Sequence, residues 1–227
     1  MLTGDIRRHS HHVHKSTNID LLKSAVIYGS NGAGKSNLIH AVDFLKDFII
    51  EGENNFSNES KFKLGLTTEK PTFIGVEFVN KNKGYYYGIV FNEGSILEEF
   101  LYLVGYGKKP DELVFERKVS KKGKSKLSLN QKYLKSEKNK ILIEVYEDDL
   151  LDKNVPFLHL ARDRKFKDIS TAYLWFEKQI LIIFPRARFV GLTNLFIVDD
   201  DLKTFTNDII REFQTGVDEI GNGNIGF

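Results

Sequence analysis

The chain has 227 residues, a length that suits one large domain or a domain with an insertion. Its hydrophobic content of 41%, with 18 Phe and 9 Tyr, excludes a disordered chain, and its net charge of +2 is too small to identify a nucleic-acid partner. No cysteine is present, which excludes disulfides, zinc–thiolate sites and thiol nucleophiles. Because no secretory signal or membrane-length apolar run occurs either, we expect a soluble cytoplasmic protein.

The first half of the chain carries strand patterns and one helix pattern. Residues 24–28 are apolar and predict a short buried strand, and residues 35–50 carry an apolar stripe at helical spacing. Four segments rich in β-branched and aromatic residues then follow with short turns between them, at 72–79, 85–92, 96–104 and 113–118. These segments predict an antiparallel β-meander, so the expected fold class is α/β with a meander beside the first helix.

The second half begins with a change of composition. Residues 117–140 contain ten basic residues and one acid, which marks a basic insert within a single domain spanning residues 1–227. Helices are predicted at 170–182 and 202–213, and residues 195–198 are compatible with a strand.

A complete G-x-x-x-x-G-K-S motif lies between the predicted strand at 24–28 and the predicted helix at 35–50. Its glycines allow positive φ angles and a close approach to phosphate oxygens, so the backbone N–H groups form an anion nest. The N-terminus of the following helix adds its own free N–H groups and dipole.

Each residue of the motif has an expected role in binding ATP with Mg²⁺. Lys35 supplies a flexible charge for the β- and γ-phosphates and is the candidate catalytic residue, while the Ser36 hydroxyl is the candidate Mg²⁺ ligand. The candidate nucleotide-binding residues are Gly29, Ser30, Asn31, Gly32, Ala33, Gly34, Lys35, Ser36 and Asn37.

Residues 25–39, A-V-I-Y-G-S-N-G-A-G-K-S-N-L-I, resemble the Y-G-x-N-G-x-G-K-S-N-L P-loop of ABC-like ATPases. This group includes the structural-maintenance-of-chromosomes proteins and the prokaryotic AAA family ATPases of anti-phage and abortive-infection systems. Asn31, Asn37 and Leu38 distinguish this P-loop from those of GTPases and kinases.

The resemblance implies a P-loop NTPase fold, in which a homodimer or higher oligomer sandwiches ATP between two lobes. It also implies that the ATPase controls a nuclease or toxin effector in phage defence. The Ser-Gly-Gly signature of such ATPases is not found, so the chain resembles their N-terminal part, and we expect hydrolysis to need a second half or a dimer. Two alternatives remain open: a DNA-gripping repair or chromosome-maintenance ATPase, and a nucleotide-sensing scaffold that does not hydrolyse ATP.

Three weaker patterns each have two interpretations. Asp199 and Asp200 follow an apolar run and could form a Walker B site, but a helix cap is the favoured interpretation. The basic insert at 117–140 could contact nucleic-acid backbone, although a solvated hairpin is favoured. Several histidines near the N-terminus could bind a metal or lie near the base, but an exposed segment is favoured; they are His9, His11, His12 and His14.

Overall fold

A computed structural model describes residues 10–15, 19–52, 70–92, 94–120, 122–163, 166–184, 198–213, 216–217 and 219. The chain divides into two units, Met1–Ile182 and Ile183–Phe227. The first unit contains the sheet and most helices, and the second contains one described helix. The single domain expected over residues 1–227 stays a prediction.

The sheet of the first unit is a five-stranded antiparallel meander in which each strand pairs with the next, in the order β3-β4-β5-β6-β7. The strands are β3 (Thr72–Asn80), β4 (Lys83–Asn92), β5 (Ser95–Val104), β6 (Glu112–Val119) and β7 (Ser125–Leu129). Four of them lie at the predicted positions, so the predicted meander is confirmed. The fifth strand, β7, falls within the basic insert and completes a hairpin with β6.

Helices cover the inner face of this sheet. They are α1 (Lys35–Glu51), α2 (Glu137–Val145), the short α3 (Phe157–Leu160) and α4 (Lys167–Lys178). A π-helical turn at Tyr146–Leu150 follows α2, and short 3-10 turns occur at Ser10–His12 and, after β7, at Gln131–Tyr133. The predicted helix at 35–50 is confirmed, and the one predicted at 170–182 begins earlier and ends at Lys178.

Alternation along the strands determines which side chains enter the core. On β4, Tyr85, Tyr87, Ile89 and Phe91 are all buried and point toward the helices. Phe91 packs against Phe44 of α1 with ring centroids 5.4 Å apart. The mixed helical and antiparallel architecture confirms the expected α/β class.

A fully buried carboxylate and a fully buried guanidinium join the sheet to the helical segment. Glu99 of β5 accepts hydrogen bonds from the N–H groups of Phe157 and Leu158, at 2.6 and 2.9 Å, and from the Tyr87 hydroxyl at 3.0 Å. Burial raises the pKa of Glu99, and Arg117, with a nitrogen 4.0 Å away, opposes that rise.

Arg117 of β6 binds the residues that precede Phe157 in the chain. Its guanidinium donates to the carbonyls of Val155 and Asp152, at 2.6 and 2.7 Å, and to the Ser125 hydroxyl at 3.0 Å. The two charges therefore hold consecutive parts of residues 151–158 against strands β5 and β6. Glu99 and Arg117 are hereafter called the buried clamp.

Asp168 forms a second polar junction at the start of α4. It accepts hydrogen bonds from Lys83 of β4 at 2.8 Å and from the Tyr133 hydroxyl at 2.7 Å, and Lys132 lies 2.9 Å away. Burial alone would raise the pKa of Asp168, but these donors outweigh it and lower the pKa to about 2.

The strand predicted at residues 24–28 is wrong. These residues pair with no strand in the described part of the chain, and the side chains of Val26 and Tyr28 are 69% and 88% exposed. A strand is defined by hydrogen bonds to a neighbour, so an apolar pattern without a neighbouring strand leaves this segment extended and uncovered. Upstream, Val13–His14 and Leu21–Leu22 form a two-stranded ribbon, β1 and β2.

The second unit contains α5, the helix Asp200–Glu212. It agrees with the helix predicted at 202–213. The strand proposed at 195–198 falls mostly outside the described residues.

Replacing Arg117 by Met should destabilise the first unit by about 3–5 kcal/mol, because Glu99 would remain as an uncompensated buried charge and three acceptors would lose their donor. Urea unfolding followed by tryptophan fluorescence measures the loss. The matched control is Lys118→Met, one position further along the same strand, where the side chain is exposed and the midpoint should hardly change. Equal effects of the two substitutions would contradict the buried clamp.

Asp168 should contribute to acid sensitivity. Its folded pKa of about 2 lies below its ordinary value of 3.8, so its contribution to stability is complete above about pH 4 and is lost as the pH falls toward 2. Asp168→Asn should therefore lower the free energy of unfolding at pH 7 and flatten its decline between pH 4 and pH 2. A variant with an unchanged slope in that range would show that Asp168 is not responsible.

Candidate nucleotide-binding site

The glycine-rich loop leads directly into α1, as its sequence predicts. Gly32 and Gly34 have φ angles of +79° and +86°, in the left-handed region, and a Cβ added to either would meet no atom within 4 Å. Glycine is therefore required there by backbone conformation, not by lack of space. Gly34 precedes the first residue of the helix, and no side chain caps that end.

The N–H groups at this helix end are available to an anion. The first hydrogen bond within α1 runs from the N–H of Leu38 to the Gly34 carbonyl, at 3.1 Å. The N–H groups of Lys35, Ser36 and Asn37 precede it and have no partner within the helix. With the helix dipole behind them, they form a site of positive potential that suits phosphate oxygens.

Lys35 folds back over its own loop. Its Nζ donates to the carbonyls of Gly29 and Ser30, both at 2.7 Å. These hydrogen bonds hold the ammonium group against the first two residues of the loop. A phosphate bound there would meet one full positive charge in addition to the backbone dipoles.

The Ser36 hydroxyl fits the requirements of a Mg²⁺ ligand. It lies in the first turn of α1, is exposed, and makes no hydrogen bond to another described residue. In the part of the chain that the structure covers, no group of three or more His, Asp or Glu residues could hold a metal by itself. Mg²⁺ commonly binds through one or two protein oxygens and the substrate phosphates, so Ser36 suits this mode.

The loop precedes the exposed half of α1, and only the other half of this helix is packed into the core. Leu45, Phe48 and Ile49 at the C-terminal half of α1 are buried, whereas Leu38 in the N-terminal half is 50% exposed. Within the described residues, no acidic side chain forms a hydrogen bond or ion pair with residues 29–37. Among the described residues, the loop therefore combines groups that suit an anion with no carboxylate in hydrogen-bonding contact.

Asp199 caps α5, as the favoured interpretation predicts. Its carboxylate accepts a hydrogen bond from the Leu202 N–H at 2.9 Å, and Asp200 lies in the first turn of the helix. Both residues belong to the second unit and the glycine-rich loop to the first, so the Walker B interpretation stays a prediction.

The described histidines near the N-terminus belong to no group of three or more side chains that could hold a metal. His11 and His12 lie in a 3-10 turn with ring centroids 4.1 Å apart, and His14 follows in β1. His12 precedes the strand that contains His14. His9 lies outside the described residues.

The basic residues of the insert differ in their burial and in their ion pairs. Arg117 is completely buried, and four lysines form ion pairs: Lys118 with Glu116, Lys124 with Asp148, Lys132 with Glu112 and Asp168, and Lys140 with Glu137. Tyr133, the one aromatic residue of the insert, is buried and bonded to Asp168. The segment is a hairpin followed by a helix, which agrees with the favoured interpretation.

The family assignment follows from a match over residues 24–226 to the family described as "AAA domain, putative AbiEii toxin, Type IV TA system". The match covers most of the chain and begins just before the glycine-rich loop. The chain therefore belongs to this family of P-loop nucleotide-binding ATPases.

More specifically, its family description connects it with an abortive-infection toxin and a type IV toxin–antitoxin system. No curated protein and no solved structure matches the chain. None of the described helices has the length and apolar content needed to cross a membrane.

Gly34→Ala should reduce ATP affinity because it forces a side chain into a positive φ and displaces the loop N–H groups. Gly107→Ala is the matched control, since Gly107 has a φ of +73° and also has open space around it. Both substitutions should cost about 1–2 kcal/mol of local backbone strain. Calorimetric titration with Mg-ATP should show weaker binding in Gly34→Ala alone, and equal affinities in the two variants would contradict the site.

Proposed function

We propose that the chain binds ATP with Mg²⁺ at residues 29–37. The observation that carries this proposal is the joint position of Gly32, Gly34 and Lys35. Two left-handed glycines, the free N-terminus of α1 and one ammonium group converge on the same loop. Family membership favours a nucleotide as the anion.

The roles of the loop residues follow from their positions. The N–H groups around Gly34 would bind the β-phosphate, and Lys35 would exchange its two carbonyl partners for the β- and γ-phosphates. Ser36 would contribute its hydroxyl to Mg²⁺, which neutralises phosphate charge. In this arrangement the loop supplies binding energy and orientation.

We infer that hydrolysis requires residues from a second copy of the chain or from a further segment. The described residues place no carboxylate at the loop, and phosphoryl transfer to water needs a group that orients the nucleophile. Apolar side chains beside the loop are exposed, including Val26, Ile27 and Tyr28, as are Leu38 and Ile39 in the first turns of α1. Exposed apolar surface of this kind suits an interface that covers the nucleotide.

The biological role we propose is that of the nucleotide-dependent component of a toxin–antitoxin or abortive-infection system. ATP binding, and hydrolysis in the assembly, would control a nuclease or toxin effector. The support is the description of the family, which names a toxin of a type IV system. The cytoplasm is the proposed location.

A second candidate is a nucleotide-sensing scaffold that assembles partners without hydrolysing ATP. The lack of a carboxylate contact at the described loop favours it. The two candidates differ in phosphate release: the ATPase releases phosphate once its covering partner is present, whereas the scaffold oligomerises with ATP and releases none.

Lys35→Ala should weaken Mg-ATP binding by roughly tenfold to a hundredfold, because two hydrogen bonds from a charged donor are lost. Isothermal titration calorimetry on the wild-type chain and the variant measures the change. Lys23→Ala is the matched control, since Lys23 is also exposed and precedes the loop by six residues without taking part in it. If both variants bind ATP like the wild type, the proposed site is disproved.

A further inference from the structure

The outer face of the meander, which points away from the helices, carries a group of aromatic rings. Helices contact the sheet through inner-face rings such as Phe78, which stacks on Trp175 of α4 with ring centroids 4.0 Å apart. Because side chains alternate along a strand, the positions between the inner-face residues belong to the outer face. Nine such positions of β3, β4 and β5 are hereafter called the outer patch: Phe73, Gly75, Glu77, Tyr86, Gly88, Val90, Glu98, Phe100 and Tyr102.

The register of the strands arranges the outer patch in three cross-strand rows. The rows are Phe73–Val90–Glu98, Gly75–Gly88–Phe100 and Glu77–Tyr86–Tyr102. The Phe100 ring is central among the four rings, with centroid distances of 6.3 Å to Phe73, 5.4 Å to Tyr86 and 5.7 Å to Tyr102. The rings therefore form one continuous surface across three strands.

Two glycines allow rings of the outer patch to lie across the sheet. A Cβ atom at Gly88 would collide with the Phe100 ring, and one at Gly75 would lie 2.7 Å from the Phe73 ring. The planes of Phe73 and Phe100 are 23° apart, so both rings rest on backbone and direct a face outward. Phe73 is 52% exposed. The face of an aromatic ring carries negative potential, which attracts cations.

The charged residues of the outer patch are both acidic. Glu77 and Glu98 are exposed, and none of the nine positions is Lys or Arg. The Tyr106 hydroxyl donates a hydrogen bond to Glu77, which leaves the carboxylate charged. Lys118 of β6 lies opposite Glu98, but its ammonium group pairs with Glu116 at 3.0 Å. The outer face from β3 to β6 therefore has three carboxylates and one ammonium group.

This charge distribution discriminates among possible occupants of the outer patch. Nucleic acid and anionic lipid would meet carboxylates where their phosphates need ammonium groups. A second copy stacked face to face would oppose like charges. A cationic protein segment is attracted both by the carboxylates and by the ring faces. Arginine fits better than lysine, because its planar guanidinium stacks on rings and forms two parallel hydrogen bonds to a carboxylate.

The distances between the rings suit an extended chain. Alternate residues of a strand lie about 6.8 Å apart on one side. The Phe73 and Phe100 centroids are 6.3 Å apart. A segment with arginine at every second position can therefore place neighbouring guanidinium groups on neighbouring rings.

We propose that the outer patch binds an extended segment of a partner protein that carries arginine at alternate positions. Its guanidinium groups stack on Phe73 and Phe100, and one of them pairs with Glu98. This surface is separate from the proposed ATP site and does not depend on it.

The test is fluorescence anisotropy of the full chain with a labelled, acetylated hexapeptide, Arg-Thr-Arg-Thr-Arg-Thr, at about 0.15 M salt. The wild type should bind this peptide. The counterpart Lys-Thr-Lys-Thr-Lys-Thr has the same charge and should bind roughly fivefold more weakly, because an ammonium group cannot stack on a ring. Equal binding of the two peptides would show attraction by charge alone and would overturn the proposal.

Two variants locate the site, each with a matched control. Phe73→Ala should weaken binding of the arginine peptide roughly threefold to fivefold, whereas Phe205→Ala, at an exposed phenylalanine of the second unit, should not. Glu98→Gln should weaken it roughly threefold and reduce its dependence on salt. Glu144→Gln, at an exposed carboxylate of α2, should leave both unchanged. Thermal unfolding establishes that each variant is folded.

Unchanged affinity in both Phe73→Ala and Glu98→Gln would disprove docking at the outer patch. Two further measurements assign the surface to another occupant if they succeed. One is tighter binding of a six-nucleotide oligothymidine than of the arginine peptide. The other is a dimer in analytical ultracentrifugation that Phe73→Ala dissociates. Either result would overturn the proposal.

Discussion

The first unit depends on one buried electrostatic arrangement, the clamp formed by Glu99 and Arg117. Neither side chain is exposed to solvent, so their charges must be balanced by each other and by backbone groups. Glu99 accepts hydrogen bonds from the N–H groups at the start of α3, and Arg117 donates to the carbonyls of Asp152 and Val155, which precede that helix. The irregular segment 151–156 is thereby held in a single conformation against the meander, without regular secondary structure of its own.

The buried clamp is also connected, through α3, to the helix that follows the glycine-rich loop. α3 begins at the clamp, and its His159 contacts the Ile49 carbonyl of α1 through Nδ1, at 2.9 Å. Lys46 of α1 donates to the Ile180 carbonyl at 2.9 Å. The helix that carries Lys35 is therefore oriented by its C-terminal half, through groups that are fixed in turn by Glu99. The N-terminal end of α1 makes no comparable contacts among the described residues.

Local sequence signals predicted the meander, α1 and the loop because each depends on short-range rules. Strand alternation, turn residues and the G-x-x-x-x-G-K-S spacing all act within a few residues. The strand predicted at 24–28 does not form, because strand pairing requires a neighbouring strand and the local sequence pattern carries no information about one. In sequence Arg117 belongs to a run of lysines, but the alternation of side chains along β6 places it on the inner face of the sheet. Glu99 carried a similar signal, since it alternates with the buried Leu101 and Leu103.

The exposure of the glycine-rich loop's neighbours affects the free energy of binding any ligand there. Val26, Tyr28 and Leu38 are at least half exposed, so a ligand that fixes them must offset their conformational entropy. A protein surface that covers Val26 and Tyr28 would order the same atoms. Whichever binds first lowers the entropic cost for the second, so nucleotide and covering surface should bind with positive cooperativity even without a change of structure.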